Sequence, residues 1–435
     1  MLAAIGVDSV ADLFAHIPAP LRLQEPLDLP AGATEAEVSR RMGELAARNR
    51  TTLEGPSFLG GGAYLHHIPA VVDSLGSRSE FVTAYTPYQA EASQGTLQSI
   101  FEYQSAICEL TGMEVSNACL YDGASAAAEA ACMMQAARKR KKGRNRLVLS
   151  AALDPFAVRT IGTYLANLDV EIVTAPLDEG GRTDLSGLVD EETFGVILAT
   201  PNFFGLIEEV GPAAKQAHGA GAMLAICTRP MPLGILASPG EEGADIVCGD
   251  GGGLGCRPWF GGPSFGFFAG RMAQIRQMPG RIAGATTDRQ GKTTYVLTFQ
   301  PREQHIRREK ATSNICTNHA LMALRGLIHL VALGRQGLAD TAAVCLDLAH
   351  LAAEKCNTLE GYSLRYDGPF FNEFVLRCPR PAAAVVAACR EAGVQAGIDL
   401  GRLFPGRERE LMVAVTEANT TTDIEALVKA LGGAA

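Results

Sequence analysis

The chain has 435 residues, 47% hydrophobic and 20% charged, with 47 acidic against 38 basic residues and a net charge of -9. That length carries two domains with separate cores, and that composition excludes a disordered chain. The acidic balance excludes nucleic acid and an anionic membrane as main partners, because both demand a broad positive field.

Residues 1 to about 55 read as short helices joined by the Pro-rich turns Ile17-Pro18-Ala19-Pro20 and Leu27-Asp28-Leu29-Pro30. Thr34 and Glu37 are spaced to cap a helix over 34–49 as a box. The stretch lacks enough apolar residues for a core of its own, so it reads as an arm. After a turn-rich entry, Tyr85-Thr86-Pro87-Tyr88-Gln89, the residues Leu97, Ile100, Phe101, Ile107 and Cys108 fall on one helical face. A second helix opens at Asp122-Gly123-Ala124-Ser125 and runs through small residues. Asp122 is placed to cap it, and Gly123 leaves the backbone at the helix start open to a phosphate. The alternative is a plain capped turn before an Ala-rich core helix.

Arg138 to Arg146 puts seven basic residues into nine positions directly after that helix. Cations at a helix C-terminus are favoured by its dipole, so the run reads as a solvated helix end. Beyond it, Leu147 to Leu149, Val170 to Val173, Val196 to Ala199, Met223 to Ile226 and Asp245 to Val247 are short apolar runs separated by helix-length segments. Such alternation specifies an α/β layer with a mainly parallel sheet, and ligands of such sheets sit at the carboxyl ends of the strands. A further strand is expected within 262–269, a loop over 279–292, a strand near 295–299 and a long helix over 318–333. The remainder reads as a small α+β domain. The expected boundaries are an N-terminal arm over 1–80, a large α/β domain over 81–317, and a long helix with the small domain over 318–435.

Eleven cysteines are an odd number and form no C-x-x-C pair, which fits a reduced, cytoplasmic compartment. Cys316 and His319 have a spacing a metal can use, but without a second ligand pair they read as a buried cysteine and a helix histidine, and no metal is expected. His66, His67 and His305 read as structural. No signal peptide opens the chain and no apolar run is long enough to span a bilayer.

Several long strings in one order carry a resemblance. They are Phe81 to Met134, Ser57-Phe58-Leu59-Gly60-Gly61-Gly62-Ala63-Tyr64, Pro201-Asn202-Phe203-Phe204-Gly205, Arg302 through Asn318, and Gly368-Pro369-Phe370-Phe371-Asn372-Glu373-Phe374. On these the chain resembles the P-protein family of the glycine cleavage system, glycine dehydrogenase (decarboxylating), in its two-subunit form and on the side of subunit 1. Relatives there usually begin with a short segment ahead of the position of Met1. The resemblance implies an aminotransferase-type fold (fold type I of the pyridoxal phosphate enzymes) for the large domain.

An enzyme of that fold needs a Schiff-base lysine and usually an acid beside the pyridine nitrogen. The family's acid is expected after Ile226, where this chain reads Cys227-Thr228-Arg229-Pro230. The lysine is expected after Val247, where it reads Cys248-Gly249-Asp250-Gly251-Gly252-Gly253. The eight lysines are 139, 141, 142, 215, 292, 310, 355 and 429, and only Lys310 lies in a family-like string. No catalytic residue is therefore expected in this chain, and it is not expected to be active alone. The resemblance implies that pyridoxal phosphate is held covalently by subunit 2, and that the pair decarboxylates glycine and passes the aminomethyl group to the lipoyl arm of H-protein. It further implies an α2β2 heterotetramer.

Thr312, Ser313 and Asn314 resemble the element that reaches across to a partner's cofactor phosphate in related dimers; the alternative is a cap for the helix that follows. Tyr85, Thr86 and Tyr88 form a Pro-stiffened loop able to place polar tips at the same partner site, the alternative being core packing of both tyrosines. Two other readings stay open: an independent pyridoxal phosphate lyase using Lys310, and a scaffold that docks H-protein without touching the cofactor.

Overall fold

In the computed structural model, which describes residues 1–23, 25–52, 54–138, 144–259 and 261–434, Thr34 caps a helix over Glu35–Ala46. Its hydroxyl accepts from the Glu37 amide while the Glu37 carboxylate accepts from the Thr34 amide at 2.8 Å, so two orphan donors are satisfied reciprocally. The helix belongs to a unit spanning Met1–Glu54. Neither it nor the turns Leu2–Ile5, Ala11–Phe14 and Ala19–Leu21 bury a single residue, and Leu21, Leu23, Leu27 and Leu29 stand exposed. Among its described residues this unit buries none, so it has no core of its own.

Gly55–Ala435 forms the second unit. Seven strands, β1 (Val115–Ser116), β2 (Arg146–Ser150), β3 (Glu171–Ala175), β4 (Thr193–Ala199), β5 (Met223–Cys227), β6 (Ile246–Asp250) and β7 (Gly266–Gly270), form one sheet in the order β1-β7-β6-β5-β4-β2-β3. Strands β2 to β6 pair in parallel, and β7 runs antiparallel to β6 and β1. Every residue of β4 is buried, as a strand covered on both faces must be. Val196 and Leu198 of β4 pack with Ile107, Leu224 and Ile226 under the helix Gln94–Thr111. Ile197 and Ala199 point the other way, to Leu147, Leu149 and the helices Gly123–Ala137 and Pro155–Leu165. Each such Leu or Ile, fully buried, contributes about 1.5–3 kcal/mol.

The stretch read as a loop over 279–292 instead begins a hairpin. β8 (Ile282–Thr287) pairs antiparallel with β9 (Thr293–Thr298), and Ala283 is buried beneath Leu97 and Ile100. The polar tip at Asp288 to Lys292 had hidden the strand before it. The expected long helix reaches Gly334, as its pattern implies, and a second helix follows directly. The two together span Ala320–Asn357 and are broken at Gly334, whose φ 65° and ψ 179° are a conformation that glycine alone tolerates comfortably.

A second sheet, in the order β10 (Ser363–Leu364), β11 (Glu373–Arg377), β13 (Glu410–Ala414) and β12 (Ile398–Asp399), is antiparallel throughout. The helices Ala382–Glu391 and Thr421–Gly433 cover it through Val385, Cys389, Ile424 and Leu427. Ahead of the large sheet, Phe58 threads into this small one. Its amide donates to Gln395 and its carbonyl accepts from Ala414. Among the described residues no helix is long and apolar enough to cross a membrane.

Arg138, Arg144 and Arg146 are the described basic residues of the run, and Lys139 to Gly143 lie outside the described residues. Arg144 donates to the carbonyls of Thr193, Ala220 and Gly221, and Arg146 pairs with Glu171, Asp190 and Glu192. The flanks of the run thus bind the chain's own surface.

Candidate functional site

The carboxyl ends of β4, β5 and β6 meet the start of the helix Gly123–Ala137, the place where a parallel sheet presents its ligand. Asp122 caps that helix: its carboxylate accepts from the Ser125 amide at 2.7 Å, and the Ser125 hydroxyl accepts from the Asp122 amide at 3.1 Å. The helix start that the sequence offers to a phosphate is filled from within. Asp250, at the end of β6, accepts from the Gly123 amide at 3.1 Å, the Gly252 amide at 2.8 Å and the Ser264 hydroxyl at 2.6 Å. A Cβ on Gly123 would lie 2.8 Å from the Asp250 backbone, so this glycine admits the neighbouring strand rather than a ligand. Burial raises the Asp250 pKa, and the three donors oppose that rise.

Beyond Asp250 the pocket is closed by a polar knot. Arg229 donates to Glu373 at 3.0 Å and to Asn372 at 3.3 Å, and its guanidinium lies 4.1 Å from the centroid of the Tyr64 ring. Tyr64 donates its phenol to Glu373 at 2.7 Å, and the Gly61 amide donates to the same carboxylate at 2.7 Å. Glu373 is 1% exposed, so these partners are its whole compensation for leaving water. Burial alone would lower the Arg229 pKa, but Tyr64 and Glu373 outweigh it and hold the charge. Thr228, where the family's acid would stand, spends its hydroxyl on the Thr200 carbonyl at 2.5 Å.

A cavity of about 20 Å³ remains, lined by Tyr64, His66, Arg229, Asp250, Gly253 and Asn372 among others, and no lysine lines it. That is room for about one water molecule. Pyridoxal phosphate does not fit here: the remaining room is that of about one water molecule, Asp250 occupies the amide of the helix start, and no lysine lines the cavity.

Three of the family-like strings turn out to be one packed body. Ser57 to Tyr64, Pro201 to Gly205 and Gly368 to Phe374 converge on Glu373. A Cβ on Gly205 would lie 1.9 Å from the Glu373 carbonyl, and one on Gly60 would lie 2.2 Å from its carboxylate.

The residues expected to serve a partner lie on another surface. Tyr85 is 80% and Tyr88 56% exposed, so neither is a core tyrosine. Thr86 is half-buried, and its carbonyl accepts from the Tyr88 amide at 2.8 Å, tightening the loop. Thr312 and Asn314 are exposed and Ser313 is half-buried. Because the residue that caps the long helix is His319, these three do not cap it. Arg281 joins the two segments: it donates to the Tyr88 phenol at 3.2 Å and to the Cys316 carbonyl at 2.7 Å, with its charge 5.5 Å from the Tyr88 ring centroid. Arg276 and Arg302 line the same hollow as Thr312 and Ser313, and Arg302 is fixed by the carbonyls of Met278 and Gly280.

Sequence reasoning missed Arg281, whose only signal was an arginine just ahead of an apolar strand. It also missed Glu129, buried in the Ala-rich helix. Burial pushes the Glu129 pKa up to about 7, a hydrogen bond with Ser313 pulls against that rise, and one carboxylate oxygen has no partner.

The other candidates are scattered. Lys310 closes an exposed turn over Arg308–Lys310. Lys355 lies 3.8 Å from Glu425. His305 lies 3.7 Å from Glu303. Cys316 is exposed rather than buried, since its side chain projects from an irregular segment and not from the helix, while His319 bonds to the Ser264 carbonyl at 2.7 Å.

The family described as Glycine cleavage system P-protein matches residues 1–431. A probable glycine dehydrogenase (decarboxylating) subunit 1 of Geotalea uraniireducens is 50% identical over 436 residues, covering 100% of this chain and 97% of the relative. One from Moorella thermoacetica is 49% identical, covering 100% and 96%. Among solved structures, an inhibitor-bound glycine decarboxylase (P-protein) of the glycine cleavage system superimposes with a TM-score of 0.92 at 42% identity, covering 100% of this chain and 97% of that one. A cysteine desulfurase of Escherichia coli shares the fold at a TM-score of 0.65 and 16% identity, over 90% and 98%. A seven-stranded sheet of this order, the strings packed around Glu373 and these likenesses together place the chain in the glycine cleavage system P-protein family.

Proposed function

We propose that this chain is the lysine-free subunit of a two-chain glycine dehydrogenase (decarboxylating), and that it completes an active site whose pyridoxal phosphate is held covalently by subunit 2. The observation that carries this reading is the division of labour in the fold. The chain's own pocket is filled by Asp250 and Arg229, while Tyr85, Tyr88, Thr312 and Asn314 project from the surface on a base fixed by Arg281. Bound to the partner, the cofactor supplies an electron sink for the pair left when carbon dioxide departs from glycine.

In this reading Thr312, Ser313 and Asn314 donate hydrogen bonds to the phosphate of that cofactor, and Tyr85, Thr86 and Tyr88 wall the site from this side. The aminomethyl group passes to the lipoyl arm of H-protein, and two such pairs assemble as α2β2. The coreless arm over Met1–Glu54 supports an assembly, since a segment without buried residues gains by covering another chain. An odd number of cysteines supports a reducing, cytoplasmic setting.

Glycine-dependent release of carbon dioxide, measured with oxidised lipoylated H-protein supplied as acceptor, with each chain alone and with the two mixed, tests the reading. Activity is expected only in the mixture. Turnover by this chain alone with added pyridoxal phosphate would establish an independent lyase instead.

A further inference from the structure

Behind the Arg229 pocket lies a cluster that the proposed reaction leaves unused. His66 follows the string that carries Tyr64, Cys345 lies on the far half of the broken helix, and Glu417 lies in the turn between β13 and the helix Thr421–Gly433. Their Nδ1, Sγ and carboxylate oxygen fall within 4.8 Å of one another, the one such group of three found among the described residues. Glu417 Oε2 is 2.8 Å from His66 Nδ1 and 3.1 Å from Cys345 Sγ. The His66 and Glu417 side chains are 6% and 14% exposed, and Cys345 is fully buried.

The chemistry of this set differs from that of an ordinary buried ion pair. An imidazole, a thiol and a carboxylate are the three ligand types of zinc, which keeps about 2.0 Å to nitrogen or oxygen and about 2.3 Å to sulfur. A tetrahedral ion at those lengths holds its ligand atoms about 3.3–3.5 Å apart, so the two Glu417 contacts need to open by about half an ångström, while His66 and Cys345, within 4.8 Å of each other, need to come no closer than about 3.5 Å. With thiolate and carboxylate the complex is electrically neutral, which suits a site this far from water. A second observation points the same way. His329, fully buried on the near half of the broken helix, has an Nδ1 with no hydrogen-bond partner, and burial lowers its pKa to about 4. His66 also lines the one-water cavity, so a fourth position on a bound ion can be taken by water.

We propose that His66, Cys345 and Glu417 form a site for a borderline divalent cation of the zinc class. Binding forms metal bonds to His66 Nδ1, Cys345 Sγ and a Glu417 oxygen. The Cys345 thiol proton leaves to solvent, the His66 proton resides on Nε2, and Glu417 gives up its bonds from His66 and Cys345. No electron is transferred. The ion would fasten the segment after Tyr64 and the long helix to the small domain, so its effect is stabilisation of the fold around the closed pocket.

The test uses the full chain, stripped of metal by a chelator and titrated with cobalt(II), then with zinc. The expected result is one equivalent of cobalt with tetrahedral visible bands and a sulfur-to-cobalt charge-transfer band, displaced by zinc, and a melting temperature raised by zinc. Cys345→Ser removes the charge-transfer band, and His66→Gln weakens cobalt by more than the roughly 10–100-fold that losing an outer partner of a ligand costs. Cys316→Ser, at an exposed thiol elsewhere, leaves the spectrum unchanged. Each variant is checked by circular dichroism, and should Cys345→Ser fail to fold, the His66→Gln titration decides. No cobalt bound by the parent chain at micromolar protein, or the same sulfur band in Cys345→Ser, would overturn the proposal and leave the trio as a hydrogen-bond network.

Discussion

Asp250 Oδ2 lies 3.1 Å from the amide nitrogen of Gly123, so the chain meets the positive end of the helix Gly123–Ala137 with a carboxylate of its own. The anion that a helix start favours is built in, and the amides of Gly123 and Ser125 have acceptors within the chain.

The first prediction follows from that bond. Asp250→Ala strands the Gly123 and Gly252 amides and the Ser264 hydroxyl in a dry site. A buried donor left unsatisfied costs about 1–3 kcal/mol, and Asp250→Asn, which keeps an acceptor, should cost less. Urea denaturation with an unchanged m-value measures both.

Arg229 and Glu373 form the second buried junction. Glu373→Ala leaves the Arg229 guanidinium unpaired and also strands the Gly61 amide and the Tyr64 phenol, so a loss of about 3–5 kcal/mol is expected. Arg229→Met combined with Glu373→Ala should cost less than the sum of the singles, by about 0.5–3 kcal/mol. A double-mutant cycle by denaturation reads this coupling.

Glu129 sets a pH dependence. Its folded pKa is raised by burial to about 7 from an ordinary value of 4.5, so between these values the folded state holds a proton that the unfolded state has lost. Stability therefore falls as pH rises from about 4.5 to 7 and stays reduced above that. The full penalty is about 3 kcal/mol at 1.36 kcal/mol per pKa unit. Glu129→Gln, which keeps a partner for Ser313 without the charge, should match the parent near pH 4.5 and exceed its stability at pH 8. Denaturation midpoints across pH 4.5 to 8 check this.

The partner-facing residues give a binding prediction. Each lost donor to a charged acceptor is worth about 1.5–3 kcal/mol, so Thr312→Ala with Asn314→Ala should weaken cofactor retention by the two-chain complex on the order of a hundredfold or more. Chain association should be largely unchanged. Ser125→Ala, at the closed pocket, should leave cofactor affinity as it was. Titration of the reconstituted complex with pyridoxal phosphate distinguishes these outcomes, and equal affinity for the Thr312/Asn314 variant would favour a scaffold role.

The parallel strands were legible because each is a short apolar run between helix-length segments, and Asp122 and Thr34 were legible as caps because capping is local chemistry. That Thr228 and the Gly249 to Gly253 run stand where the family's acid and lysine are expected was legible only through the resemblance, which says where to look. What fills the gap was not. Asp250 reaches Gly123 across 127 positions and Arg229 reaches Glu373 across 144, and pairings at such separation leave no periodic trace. Strand β8 was missed because Gly284 and its small neighbours weaken the β pattern. Arg281 escaped notice because a lone arginine reads as surface until its carbonyl and phenol partners are in place.

The central claim is that this chain carries no covalent cofactor and completes the site of one that does. Borohydride reduction of the co-purified two-chain complex, followed by peptide mass spectrometry, tests it most directly. The account predicts a pyridoxyl-lysine in subunit 2 and none on any of the eight lysines of this chain. A pyridoxyl mark on Lys310, or on any other lysine here, would contradict it.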